Sequence, residues 1–195
     1  MNVNELKICS YSNKGGELIN DLKLNNKKHI IKWQILNSRN IQNSILNYIG
    51  FTPTTKEELK RAVNLWCEDK RKAYKLFGHI SHWDTKQVTN MYKLFFFKFN
   101  FNSVISSWDV SNVKSMSTMF LSANSFNQPL NNWDVSSVEN MERMFEYAIK
   151  FNRPLTKWNV SKVTNMDSMF SSAESFNQPL NNWNVSNVTD MSNMF

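Results

Sequence analysis

At 195 residues the chain is long enough for one or two domains with a real core, and its two cysteines, Cys9 and Cys67, exclude a disulfide framework. The net charge of +7 is lopsided: residues 1–80 hold 14 Lys+Arg against 7 Asp+Glu, and residues 81–195 hold 9 of each. No stripe of arginines interleaved with aromatics marks a nucleic-acid interface, so the basic half reads as a solvated Lys/Asn-rich surface, and no run of about 18 apolar residues is present to span a membrane.

In chain order, Met1-Asn2-Val3-Asn4-Glu5 opens without a basic region followed by an apolar run. No signal peptide is therefore expected, and the expected location is intracellular. Residues 1–52 form a basic Asn/Lys-rich segment whose fold is left open. Residues 53–78 read as an amphipathic capping helix. Thr55 and Glu58 make a capping box, and Leu59, Ala62, Val63 and Trp66 fall at i, i+3, i+4 and i+7.

From residue 79 to 195 the chain repeats. Trp83, Trp108, Trp133, Trp158 and Trp183 are spaced by a constant 25 residues. The same step relates Val88 to Val188, Met91 to Met191 and Phe95 to Phe195 through every intermediate position, and a further row runs Phe101, Phe126, Phe151, Phe176. About five such repeats are present, and repeats of this length imply stacked units that share one core.

Within the third repeat, Leu130, Trp133 and Val135 sit at offsets 0, 3 and 5, the L-x-x-L-x-L spacing of a leucine-rich-repeat strand. Val138, Met141, Met144 and Phe145 then fall at i, i+3, i+6 and i+7, one face of a short helix, which Ser136 and Glu139 would cap. Phe126-Asn127-Gln128-Pro129 makes the return turn, where Asn102, Asn127, Asn152 and Asn177 can bond the backbone of a neighbouring coil. The expected fold is therefore α/β: a leucine-rich-repeat-like solenoid of short parallel strands and short helices, with an N-terminal helical cap. The tryptophans are expected to be a buried column, each indole N–H with a polar partner, rather than an exposed platform.

The Trp-Asp-Val-Ser-Asn-Val motif at 108–113, its relatives at 133–135 and 183–185, and the Met-x-x-Met-Phe endings resemble the BspA-like surface-protein repeat. Pro53 to Trp83 resembles the helix that often precedes such repeats. The resemblance covers roughly residues 51–195 and implies a family of undefined activity, found in bacterial lipoproteins, large DNA viruses and protists. It also implies a leucine-rich-repeat-like solenoid and, in bacteria, adhesion to host proteins. The missing secretion signal turns the expectation toward an intracellular or virion-associated binding role.

Enzyme motifs are missing: there is no glycine-rich phosphate loop, no G-x-S-x-G elbow and no H-E-x-x-H helix. Cys67, His79 and His82 match no usual zinc spacing. The row Asp84, Asp109, Asp134 is expected to cap the segments that follow, since it continues as Asn159 and Asn184.

The expected function is a non-catalytic scaffold for protein–protein interaction, with no cofactor and no metal. The alternative is a surface adhesin or carbohydrate-binding module. The candidate binding face is the outward pair of strand positions. One row is His82, Ser107, Asn132, Lys157 and Asn182, and the other is Asp84, Asp109, Asp134, Asn159 and Asn184. A protein partner is expected and nucleic acid is not. Self-association through the coil that stops at Phe195 is a further expectation, because an uncovered coil leaves unpaired backbone.

Overall fold

The computed structural model describes residues 50–195. The chain divides into two units, Met1–Ser44 and Ile45–Phe195, and the described residues belong to the second. The expectation for the basic segment up to residue 49 lies outside them.

Two helices come first, α1 over Lys56–Glu68 and α2 over Lys70–Phe77. Thr55 caps α1 by accepting from the Glu58 N–H, and the Glu58 carboxylate reaches back to the Thr54 N–H at 2.8 Å. The four apolar residues at helical spacing are all buried. Asp69 divides what the sequence suggested as one helix. Its N–H closes α1 on the Leu65 carbonyl, while its carboxylate accepts from Lys72 N–H and starts α2. A short acidic side chain that bonds its own backbone favours such a junction over a helix interior.

The helices pack on the first coil. Trp66 donates its indole N–H to Ser103 Oγ at 2.9 Å and meets Trp83 edge-on, and Phe51 lies against both Phe77 and Trp83. Asp84 N–H bonds the Phe51 carbonyl.

The repeats overturn the α/β expectation. Among the described residues there is no strand, and beyond α1, α2 and the short 3-10 turn at Ile80–His82 there is no helix. A leucine-rich-repeat solenoid of strands and helices is not what these residues form. Each 25-residue coil is instead a succession of β-turns. In the third, hydrogen bonds from residue i+3 to residue i close Leu130–Trp133, Val135–Val138, Met141–Met144, Phe145–Ala148 and Ala148–Phe151. Both ends of each turn are buried. Leu-x-x-Trp is therefore a turn and not a strand. The run Met141, Met144, Phe145 is two turns in succession, which also places apolar residues at i, i+3 and i+4.

A helix would send the Phe145 N–H to the Met141 carbonyl; it goes to Met169, one coil on, at 2.9 Å. The third residue of both turns has positive φ in coil after coil. At the first turn these are Lys93, Thr118, Arg143, Ser168 and Asn193, with φ from 52 to 58°. At the second they are Phe97, Ser122, Tyr147 and Ser172. Positive φ at that place is the type II signature, and it ends any helix.

Adjacent coils are tied across this same face. Met91, Lys93, Phe95 and Phe97 donate their N–H groups to the carbonyls of Ser115, Ser117, Met119 and Leu121. Met116, Thr118, Phe120 and Ser122 do the same to Asn140, Glu142, Met144 and Glu146. Only single parallel bridges result, linking Asn90, Ser115, Asn140, Asn165 and Asp190.

Elsewhere side chains stitch the stack. Asn102, Asn127 and Asn152 each accept from the N–H of the asparagine one coil on, at 3.0–3.1 Å. Inside, Phe95, Phe120, Phe145 and Phe170 form a near-parallel column with centroids 5.1–5.5 Å apart. The Phe101–Phe176 row stacks beside it.

Candidate binding surface

The tryptophan column faces inward. Trp133 is 2% exposed, and the indole N–H groups of Trp108, Trp133, Trp158 and Trp183 donate to carbonyls of the preceding coil at 2.8–3.1 Å. Beneath Trp83 lie Phe51, Trp66 and Phe77 instead of another coil, and its N–H has no acceptor among the described residues.

The residues that flank the tryptophans lie outside. His82, Ser107, Asn132, Lys157 and Asn182 are exposed, and neighbours along the row touch: Lys157 Nζ donates to Asn132 Oδ1 at 3.1 Å. Of the second row, Asp84, Asp134, Asn159 and Asn184 are exposed and Asp109 is half-buried. Each of these five side chains accepts from the backbone N–H two residues on, so the row caps turns. Asp109 also takes the Ser111 hydroxyl at 2.6 Å, and these two bonds hold its carboxyl below the usual range. No sheet carries either row.

A second face was not singled out by sequence reasoning. It consists of the central residues of the paired turns, where the coils differ most. The first coil presents Tyr92, Lys93, Phe96 and Phe97; the second Ser117, Thr118, Leu121 and Ser122; the third Glu142, Arg143, Glu146 and Tyr147. The signal was present in the x positions of Met-x-x-Met-Phe, which differ from coil to coil.

All of these but Ser122 and Tyr147 line a groove of about 440 Å³. Phe97, Phe99 and Tyr147 are 47–52% exposed. Lys93 Nζ stands 5.0 Å from the ring centres of both Tyr92 and Phe96, and Lys56 Nζ is over Tyr92. Opposite, Arg143 Nε lies 3.6–3.8 Å from carboxylate oxygens of Glu142, Glu146 and Asp167. Glu146 Oε2 is shut off from solvent and accepts no hydrogen bond from the described residues. Burial raises its carboxyl above the ordinary range against the pull of Arg143.

Cys67 lies at the surface, with its thiol pushed by desolvation up to about 11. Among the described residues no group of three or more His, Cys, Asp or Glu side chains is placed to hold a metal ion, and no helix is long and apolar enough to cross a membrane.

No curated protein and no solved structure matches the chain. A family model described as "Mycoplasma protein of unknown function, DUF285" matches residues 67–161 and again 132–195, more than half the length. The doubled, overlapping match follows the internal repeat, and the chain belongs to that family.

Proposed function

We propose that the chain is a non-catalytic scaffold whose paired-turn face holds a protein partner. One contrast carries the reading. The buried columns keep one residue type, as in Met91, Met116, Met141 and Met166. The next residue along is not fixed: it is an aromatic, a hydroxyl and then two carboxylates, Tyr92, Ser117, Glu142 and Asp167, of which only Ser117 is buried. A fixed core under a varied surface suits recognition of a varied partner surface. The finer family reading, a BspA-like repeat, rests on the Trp-Asp-Val-Ser-x-Val and Met-x-x-Met-Phe signature and brings a surface adhesin as the second reading. A sugar-binding platform has less support, because the tryptophan rings that would stack on a sugar are buried.

The test is affinity capture with the full chain beside a variant carrying Tyr92→Ser, Phe97→Ser and Tyr147→Ser. A partner held by the first and lost from the second, with equal thermal unfolding, is the expected result. A partner held equally by both would move recognition off this face. Protease shaving of intact source cells separates the scaffold from the adhesin, which alone would be cut from outside.

A further inference from the structure

The groove is polarised. Its floor is the second coil, where Ser117 and Thr118 are buried and Leu121 is half-buried. One wall, on the first coil, is aromatic and basic. Burial lowers the affinity of Lys60 for a proton, and the nearby Lys56, Lys93 and Lys98 lower it further. The other wall, on the third and fourth coils, sets three carboxylates around one guanidinium. The walls are two coils apart, with ring-to-ring steps of 5.1 and 5.4 Å between them. An extended chain covers that span in about three residues at ~3.3 Å each.

We infer that this groove binds an extended segment of a partner protein that carries an acidic residue and a basic residue three apart with an apolar residue between. The acidic side chain meets the lysines of the first coil. The basic one meets the carboxylates of Glu142, Glu146 and Asp167, and the apolar one lies on Leu121 beside Phe96 and Phe97. Charge complementarity at both ends fixes register and direction, which a flat apolar patch does not do. The inference rests on the scaffold reading and narrows it to one groove and one partner chemistry.

The experiment titrates the full ¹⁵N-labelled chain with four acetylated, amidated peptides: Ser-Asp-Leu-Gly-Lys-Ser, its reverse Ser-Lys-Gly-Leu-Asp-Ser, and versions with Asp at both or Lys at both charged places. One of the two bipolar peptides should move the amides of 92–97, 117–122 and 142–147. It should bind at least about tenfold more tightly than either single-charge peptide.

Lys93→Asn and Glu146→Ser should each weaken it about fivefold. Both substitutions copy residues that equivalent turns already carry, Asn193 and Ser171, so the backbone is kept, and unchanged thermal unfolding checks that. Equal binding of all four peptides, no binding, or shifts confined to other residues would overturn the groove. So would a captured partner still held by the double variant that carries both Lys93→Asn and Glu146→Ser, which leaves the scaffold reading standing. Capture of no protein by the intact chain defeats the scaffold instead. Self-association of the intact chain that the double variant loses, read by sedimentation, would make the occupant a second copy and overturn the proposal of a different partner.

Discussion

Trp108, Trp133, Trp158 and Trp183 each do two things at a seam between coils. The ring fills the core, and the indole N–H reaches a carbonyl of the coil before it, as Trp133 does with Ile105 at 3.1 Å. Trp133→Ala removes both, in the middle of the stack where neither neighbour can move in, and should cost about 3–5 kcal/mol. Denaturant unfolding measures it; unchanged stability would mean that the seam is closed by the phenylalanines alone. Glu146 makes the pH-dependent case. Burial holds its folded carboxyl above the unfolded value of about 4.3. The folded state therefore binds more protons than the unfolded one over that window. The stabilisation is complete below the unfolded value and is lost as pH rises through the raised folded one. Glu146→Gln cannot titrate, so the difference in melting temperature between the two proteins should shift in the variant's favour as pH climbs from about 4 upward. A difference that stays level across that range would show that Arg143 cancels the desolvation.

At the scale of the element, the repeated β-turn explains what was legible and what was not. The 25-residue period, the identity of the buried columns and the cross-coil asparagine bonds could be read directly. Each depends only on which side chain sits where, and Trp, Met, Phe and Asn mark their own columns. The conformation between those marks could not be read. Two consecutive turns Met141–Met144 and Phe145–Ala148 bury i, i+3 and i+4, the spacing that also suits a helix, and Leu130–Trp133 imitates the spacing of a strand. The usual punctuation is missing as well. Type II turns prefer glycine or asparagine at the positive-φ place, yet here it holds Lys93, Thr118, Arg143 and Ser168, with Asn193 alone conforming. The paired-turn face went unseen for the same reason, since it lies on those turns. Non-glycine residues in this region cost energy, most for a β-branched one. Thr118→Asn should thus stabilise the protein by about 0.5–1 kcal/mol despite losing the bond from Thr118 Oγ1 to the Ser117 carbonyl. A lower melting temperature in that variant would show that the hydroxyl outweighs the strain.

Across the whole molecule, the paired-turn face has one polarity: its N–H groups point toward the next coil and its carbonyls toward the previous one. Their dipoles add along the stack, as they do along a helix axis. The carbonyl side of the first coil meets Lys60, whose Nζ donates to the Lys93 carbonyl at 3.0 Å. Coils otherwise bond only to their neighbours, so a whole coil should be removable. Deleting residues 130–154 joins Pro129 to Leu155, which holds the same offset as Leu130. The N–H groups of Met116, Thr118 and Phe120 then meet the carbonyls of Asn165, Asp167 and Met169, and Trp158 takes over the Ile105 carbonyl that Trp133 used. Near-neighbour stability predicts a folded protein with a single cooperative transition and a denaturant dependence reduced in proportion to the surface lost. Deleting only residues 130–146 instead sets turn residues under tryptophans and breaks each column, and should abolish the near-ultraviolet signal of the packed rings. If both deletions unfold the chain, the coils depend on contacts beyond their neighbours; if both fold, the columns do not set the register. The folded 130–154 deletion also replaces Glu142, Arg143 and Glu146 by Asp167, Ser168 and Ser171, leaving one carboxylate opposite the lysines, so the bipolar peptide should lose its advantage over the all-acidic one.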